Sequence, residues 1–245
     1  YRSSTNDTMK KDLKNVVDRV LEIAKPDPHD IVVDIGSNDC TLLNYYQKEL
    51  KLVGFEPAKN IKFIDEGKNI KIFSSYFNAQ NFIENFGEKA KIITSCAMFY
   101  DLENPKKFVQ DIKNIMDKNG IWCVQISYLL LMIKNLNFYD ICHEHLSYYS
   151  IDSFEKLIEQ FDLKIFYAET NTVNGGSIRL YVCRKECKKY NQKKFQDELD
   201  TLRQEENKYH LKDENTFFNF QKKIDRLKNK INSYINNIIK DKKIV

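Results

Sequence analysis

The chain has 245 residues, of which 42% are hydrophobic and 13% aromatic, ample for a packed core and incompatible with a disordered chain. Its net charge of +4 sits in the tail: residues 185–245 carry 16 basic and 10 acidic side chains, against 23 and 25 in residues 1–184. The nearly neutral body argues against a nucleic-acid protein. No apolar run approaches the roughly 20 residues that span a bilayer, so no membrane span is expected.

The start, Tyr1-Arg-Ser-Ser-Thr-Asn, lacks the apolar segment of a secretory signal, and without an initial Met the chain reads as a piece of something longer. Residues 8–24 carry Val16, Val17, Val20, Leu21 and Ile23 at helical spacing, and Pro26 and Pro28 end that helix. The β-branched run Ile31–Ile35 reads as a buried strand. Gly36 follows, and the segment from Cys40 to Tyr46 is expected to be a helix capped by Ser37, Asn38 or Asp39. Further strands are expected at 52–56, 70–73, 92–96 and 120–126. A helix is expected from Pro105 to Met116, with Phe108, Val109, Ile112 and Ile115 on one face. Two late runs, 163–167 and 177–183, flank the turn-forming Asn174-Gly175-Gly176 and predict an antiparallel pair at one edge. Strands alternating with helices give an α/β fold: a mostly parallel sheet, helices on both faces and an antiparallel edge.

Beyond Lys185 there is no proline or glycine. Phe217, Phe220, Ile224, Leu227, Ile231, Tyr234 and Ile238 alternate spacings of 3 and 4, a helix with one apolar seam. It is expected to pack on the body, on a neighbouring domain or in a homodimer. The division is therefore 1–184 as the main domain and 185–245 as a helical extension. Six scattered cysteines (40, 96, 123, 142, 183 and 187), with no Cys-x-x-Cys pair, predict free thiols and a cytoplasmic location.

Three features make a nucleoside site at the carboxyl ends of the strands. The Gly36 turn lets backbone approach a ligand, with Asp34, Ser37 and Asn38 around it. Glu56, 20 residues after Gly36, can accept both ribose hydroxyls, with Pro57 behind it. Phe77 and Ser95 complete the candidate wall, Ser95 opening the segment that runs to Asp101. Gly36-Ser-Asn-Asp-Cys-Thr is neither Gly-x-Gly-x-x-Gly nor a phosphate loop, which disfavours dinucleotides and ATP. A single glycine between Asp34 and Asp39 suits a cationic ligand, and S-adenosylmethionine meets that description.

Cys142-His143-Glu144-His145 stands among four tyrosines, a density of titratable groups that points to an acid–base site. A metal site of Cys142, His143 and His145 lacks a fourth ligand at a typical spacing, and no metal is expected. In an extended segment, His143 and His145 would share a face and Glu144 would take the other. Asn174-Gly-Gly-Ser-Ile-Arg179 is either plain hairpin chemistry or a small-residue turn against a substrate, with Asn174 or Arg179 holding it; arginine suits a phosphate.

Asp34-Ile-Gly-Ser-Asn-Asp, Gly54-Phe-Glu-Pro57, Cys142-His-Glu-His-Leu-Ser-Tyr-Tyr149 and Asn174-Gly-Gly-Ser-Ile-Arg179, in that order, resemble the S-adenosylmethionine-dependent C-methyltransferases of nucleotide-linked ketosugars. The resemblance covers roughly residues 1–184. It implies a class I methyltransferase, Rossmann-like fold, and an acceptor deprotonated beside its keto group whose enolate takes the sulfonium methyl. His145 matches the proposed base, Glu144 stands beside it and Tyr1 matches a tyrosine near the substrate. His143, Tyr148, Asn174 and Arg179 are the candidate substrate contacts. Cys142 replaces a tyrosine and Asp101 a frequent histidine of better-known members. In the family a small zinc-binding domain precedes this region and an α/β domain follows it. The expected partners are a small molecule, a nucleotide-linked sugar, and a partner domain or second copy through the 217–238 helix. O- or N-methylation of another small molecule, or a cofactor-binding subunit without catalysis, are the alternatives.

Overall fold

The structure, a computed structural model, describes residues 2–240. A seven-stranded sheet is built from β1 (Ile31–Ile35), β2 (Lys51–Phe55), β3 (Lys71–Phe73), β4 (Ala90–Cys96), β5 (Met116–Ser127), β6 (Leu163–Asn171) and β7 (Ser177–Arg184). Its order is β3-β2-β1-β4-β5-β7-β6. The first five strands are parallel, and β7 runs antiparallel to both neighbours. This is the class I methyltransferase, Rossmann-like arrangement, with the antiparallel edge expected from the late runs.

Among the described residues there are seven α-helices: α1 (Asp7–Ala24), α2 (Ala79–Phe86), α3 (Pro105–Ile115), α4 (Leu129–Asn135), α5 (Ile151–Glu159), α6 (Lys193–Lys208) and α7 (Glu214–Lys240). Asparagines start three of them: the side chains of Asn6, Asn78 and Asn104 accept the N–H groups of Met9, Asn81 and Lys107. Ser150 and Ser153 close a capping box on α5. On one face of the sheet, Val16, Val17 and Val20 of α1 pack with Leu43, Tyr46 and Tyr181. On the other, Phe82, Val109, Ile112, Phe154 and Ile158 pack around Val33, Trp122 and Val124.

The helix expected over Cys40–Tyr46 does not form. Asn38 and Cys40 adopt φ of +50° and +69°, left-handed values that break helical geometry, and only the 3-10 turn Leu43–Tyr45 remains. Leu42, Leu43 and Tyr46 are nonetheless buried, so the segment's apolar content covers the sheet without regular structure. Helices α2, α4 and α5 were not expected from the spacing, whereas α6 falls within the expected helical extension.

Residues of the tail enter the core. Leu199 of α6 is fully buried, and Glu206 accepts the N–H groups of Ile151 and Asp152, capping α5 from outside. In α7, Phe220 packs on Met132 and Ile133 of α4, whereas Ile231 and Tyr234 farther along the seam are exposed. No described helix is long and apolar enough to cross a membrane. None of the six cysteines is in a disulfide.

Candidate active site

β1 and β4 are paired neighbours at the point where the strand order reverses, and a cavity of about 510 Å³ opens at their carboxyl ends. Gly36 leaves β1 at φ +75°, and its N–H and that of Ser37 both donate to the Phe55 carbonyl. A Cβ on Gly36 would lie 3.3 Å from Met98 Cγ, so the bare α-carbon keeps the cavity open. Glu56 follows β2 directly. Its Oε2 accepts the Asn38 N–H at 2.9 Å and its Oε1 the Ala58 N–H at 2.8 Å. The carboxylate is thereby fixed at the cavity wall, with lone pairs left for a ligand.

Asp34, Gly36, Ser37, Asn38, Glu56, Pro57 and Phe77 all line this cavity. Ser95 does not. It is fully buried and accepts the indole N–H of Trp122 at 2.9 Å. The next residue, Cys96, faces the cavity instead, the change of face that one step along a strand brings.

The two aspartates do not act as a pair toward a ligand. Asp34 is buried, accepts from Thr94 Oγ1 at 2.6 Å, and burial pushes its carboxyl up to about 7, with Glu56 nearby adding to the rise. Asp39 turns the other way. It accepts the Ser4 N–H and both the N–H and hydroxyl of Thr41, which together hold it below its usual range despite burial. Asn38 Oδ1 likewise accepts the Ser3 N–H. The outer side of the turn thus clasps the N-terminal segment, and Ser3, Met9 and Leu13 become cavity wall.

Residues 141–148 have no helix or extended ladder, so His143 and His145 do not share a face. The His143 side chain is 92% exposed and 3.3 Å from exposed Glu144. His145 turns inward: its ring lies 4.3 Å from that of Tyr100, and its Nδ1 is buried without a hydrogen-bond partner among the described residues. The Leu146 and Ser147 N–H groups both donate to the Tyr100 carbonyl, docking this loop beside Asp101, which lines the cavity. Tyr148 donates to the Asp140 carbonyl and faces a separate cleft with His210 and Lys212. None of His143, Glu144, His145 and Tyr148 lines the main cavity. Tyr1 lies outside the described residues.

Arg179, expected to hold a substrate phosphate, is 2% exposed and has its guanidinium committed inside the chain. It pairs with Asp12 and donates to Asn15, Glu169 and Gln125 Oε1. Gln125 in turn donates to Asp12, accepts from Asn171 and lines the cavity. Arg179 therefore braces the cavity floor rather than meeting a ligand. Asn174 does reach the cavity wall. Beside it, the Gly175 carbonyl accepts from Asn137, and a side chain at Gly175 would collide with Tyr139 and Asn137.

A family model described as a methyltransferase domain matches residues 6–168. The chain belongs to this methyltransferase family. A second model, a C-methyltransferase C-terminal domain, matches residues 172–245 of the methyltransferase. The C-methyltransferase NovU of Streptomyces niveus is 25% identical over 189 residues, covering 74% of this chain and 44% of that protein, so the chain spans less than half of this relative. An S-adenosylmethionine-dependent methyltransferase from Clostridium acetobutylicum superposes with a TM-score of 0.55 at 12% identity, over 71% of this chain and 92% of that one. The plantazolicin methyltransferase BpumL, solved with SAH, superposes with a TM-score of 0.51 at 13% identity, over 71% of this chain and 84% of that one. These likenesses establish the fold.

The methyltransferase thus has a nucleoside-sized cavity with a fixed carboxylate and an inward-facing histidine one layer away. Sequence reasoning missed Ser3, Met9, Leu13 and Gln125 as cavity residues. Gln125 carried a signal, a polar side chain inside the apolar strand run 120–126. The N-terminal residues carried none, because a turn distant in sequence places them.

Proposed function

We propose that this methyltransferase binds S-adenosylmethionine over the Gly36 turn and C-methylates a nucleotide-linked ketosugar. The carrying observation is Glu56, pinned by the amides of Asn38 and Ala58 at the edge of the cavity, where a ribose can bridge its free lone pairs. Ser37 Oγ fits the same reading: it is buried without a hydrogen-bond partner among the described residues and belongs to the cavity wall. Phe77 and Tyr76 offer faces for the purine, and Cys96, Met98 and Asp101 border the opposite side. The bound cofactor supplies an electrophilic methyl group.

His145 is the base in this reading. It takes a proton from the carbon beside the acceptor's ketone, and that carbon then attacks the methyl; positioned proton transfer contributes about 10²–10⁴ in rate. Glu144, His143, Tyr148 and Asn174 are assigned to the acceptor side, with Tyr1. Support for carbon as the methylated atom comes from the C-methyltransferase model over residues 172–245 and the similarity to NovU.

The test is incubation with S-adenosylmethionine and a set of nucleotide-linked 4-keto sugars. One added methyl by mass spectrometry, bonded to carbon by NMR, is the expected product. A methyl on oxygen or nitrogen overturns the C-transfer assignment. His145→Ala is expected to lower turnover at least 100-fold; a variant as fast as the parent removes His145 as the base.

A further inference from the structure

Among the described residues of β5, Gln125 alone lines the cavity, and it is 3% exposed. Register pairs it with Cys96 of β4, which lines the cavity too, so the two side chains leave the same face of the sheet. On that face stands α1, where Met9 and Leu13 are cavity wall and the buried Asp12 lies between them in sequence. The Gln125 amide is held from three sides. Its Oε1 accepts Arg179 Nε at 2.5 Å and Asn171 Nδ2 at 3.0 Å, and its Nε2 donates to Asp12 Oδ2 at 2.7 Å. Arg179 is itself clamped by Asp12, Asn15 and Glu169, so the lock does not turn with a single side chain.

A primary amide has two oxygen lone pairs and two N–H donors. In Gln125 both lone pairs are taken, and one N–H has no partner among the described residues. Exchanging the amide's oxygen and nitrogen would set its NH2 against two donors and its oxygen against a carboxylate, so the orientation is fixed. Gln125 therefore has a donor left for a ligand and no acceptor. We propose that this N–H takes the carboxylate of the cofactor's amino-acid tail. The proposal rests on the reading of S-adenosylmethionine over the Gly36 turn and adds the group that holds its far end. With the ribose at Glu56 after β2, Gln125 stands three strands away across β1 and β4, about 14 Å at the usual spacing. Of the polar groups in the tail, the ammonium only donates, and the carboxylate is the one that accepts. Asp34 lines the same cavity, but burial pushes its carboxyl up to about 7, so near neutral pH its repulsion of a ligand carboxylate is reduced.

The test is isothermal calorimetry of the full chain with S-adenosylhomocysteine and with decarboxylated S-adenosylhomocysteine, two ligands that differ in that carboxylate alone. Gln125→Met is expected to weaken S-adenosylhomocysteine about 10-fold or more and to leave the decarboxylated ligand at the parent's affinity. A second variant guards against misfolding. Asp12→Asn combined with Gln125→Glu keeps one carboxylate beside Arg179 and a hydrogen bond between the two positions, but replaces the free N–H with an oxygen. It is expected to unfold in urea with the parent and to show the same selective loss. Equal weakening of both ligands overturns the proposal, because Gln125 then acts through the fold alone. Unchanged S-adenosylhomocysteine affinity in either folded variant overturns it too. Those outcomes remove only the Gln125 contact, whereas a parent chain that binds neither ligand removes the cofactor reading and this proposal with it.

Discussion

The Oε2 atom of Glu56 accepts the backbone N–H of Asn38 at 2.9 Å, so the carboxylate that follows β2 holds the turn that follows β1. The two walls of the cavity are thereby fixed to one another. Glu56→Gln loses one of its two backbone acceptors, because an amide offers one carbonyl oxygen where the carboxylate offers two. Affinity for S-adenosylhomocysteine is expected to fall about 10- to 100-fold, equivalent to roughly 1.4–3 kcal/mol. Isothermal calorimetry measures it, and unchanged affinity would remove Glu56 from the site.

Gly54 acts on the same turn by steric means. A Cβ there would stand 2.7 Å from Ser37 Oγ and 2.9 Å from Ile72 Cδ1. Gly54→Ala is expected to cost about 1–3 kcal/mol in urea unfolding. Adding Ser37→Ala, which deletes the nearer atom, should return part of that stability. No return in the double variant would show that the strain lies with Ile72 and the Ser37 Cβ, 2.9 and 3.1 Å from the added atom, and not with the hydroxyl.

Asp34 gives the chain a pH dependence with a definite sign. Its carboxyl is pushed from 3.8 up to about 7, chiefly by burial. Below about pH 4 both folded and unfolded chains hold the proton. Between about 4 and 7 the folded chain keeps it and the unfolded chain has released it, so this contribution to stability declines as pH rises and levels off above 7. Asp34→Asn lacks that decline. Urea unfolding of both chains from pH 4.5 to 8 should show the parent losing stability relative to the variant, by no more than about 4 kcal/mol. A constant difference across this range would refute the assignment.

Arg179 and Asp12 form an ion pair in which both side chains are nearly solvent-free. Removing one partner leaves the other charge buried and alone. Arg179→Met is expected to destabilise the chain by about 3–5 kcal/mol, visible in denaturant unfolding. Cofactor affinity should weaken as well, because Gln125 loses its brace. A loss below 1 kcal/mol would mean that the pair is not buried in solution.

The parts of this molecule legible in the sequence are those governed by local patterning. Ile31–Ile35, Gly36 and Glu56 announced a strand, a turn and a carboxylate, and all three sit where their spacing put them. The segment from Cys40 to Tyr46 has a helix-like apolar pattern, but left-handed residues at 38 and 40 overrode it. Arg179 misled for a different reason. Its partner Asp12 is 167 residues away, and nothing near Arg179 reveals that its donors are already taken. Ser95 was displaced by one position, because strand parity cannot be set until the neighbouring strand is known.

The turn that follows β1 has two working sides. Its inner side meets the cavity, while the side-chain oxygens of Asn38 and Asp39 grip the backbone at Ser3 and Ser4. The beginning of the described chain is thus wired to the ligand floor through two hydrogen bonds of 3.0 Å each. A fluorophore carried at residue 2 would report cofactor arrival directly, making the polypeptide's own leading edge a gauge of occupancy.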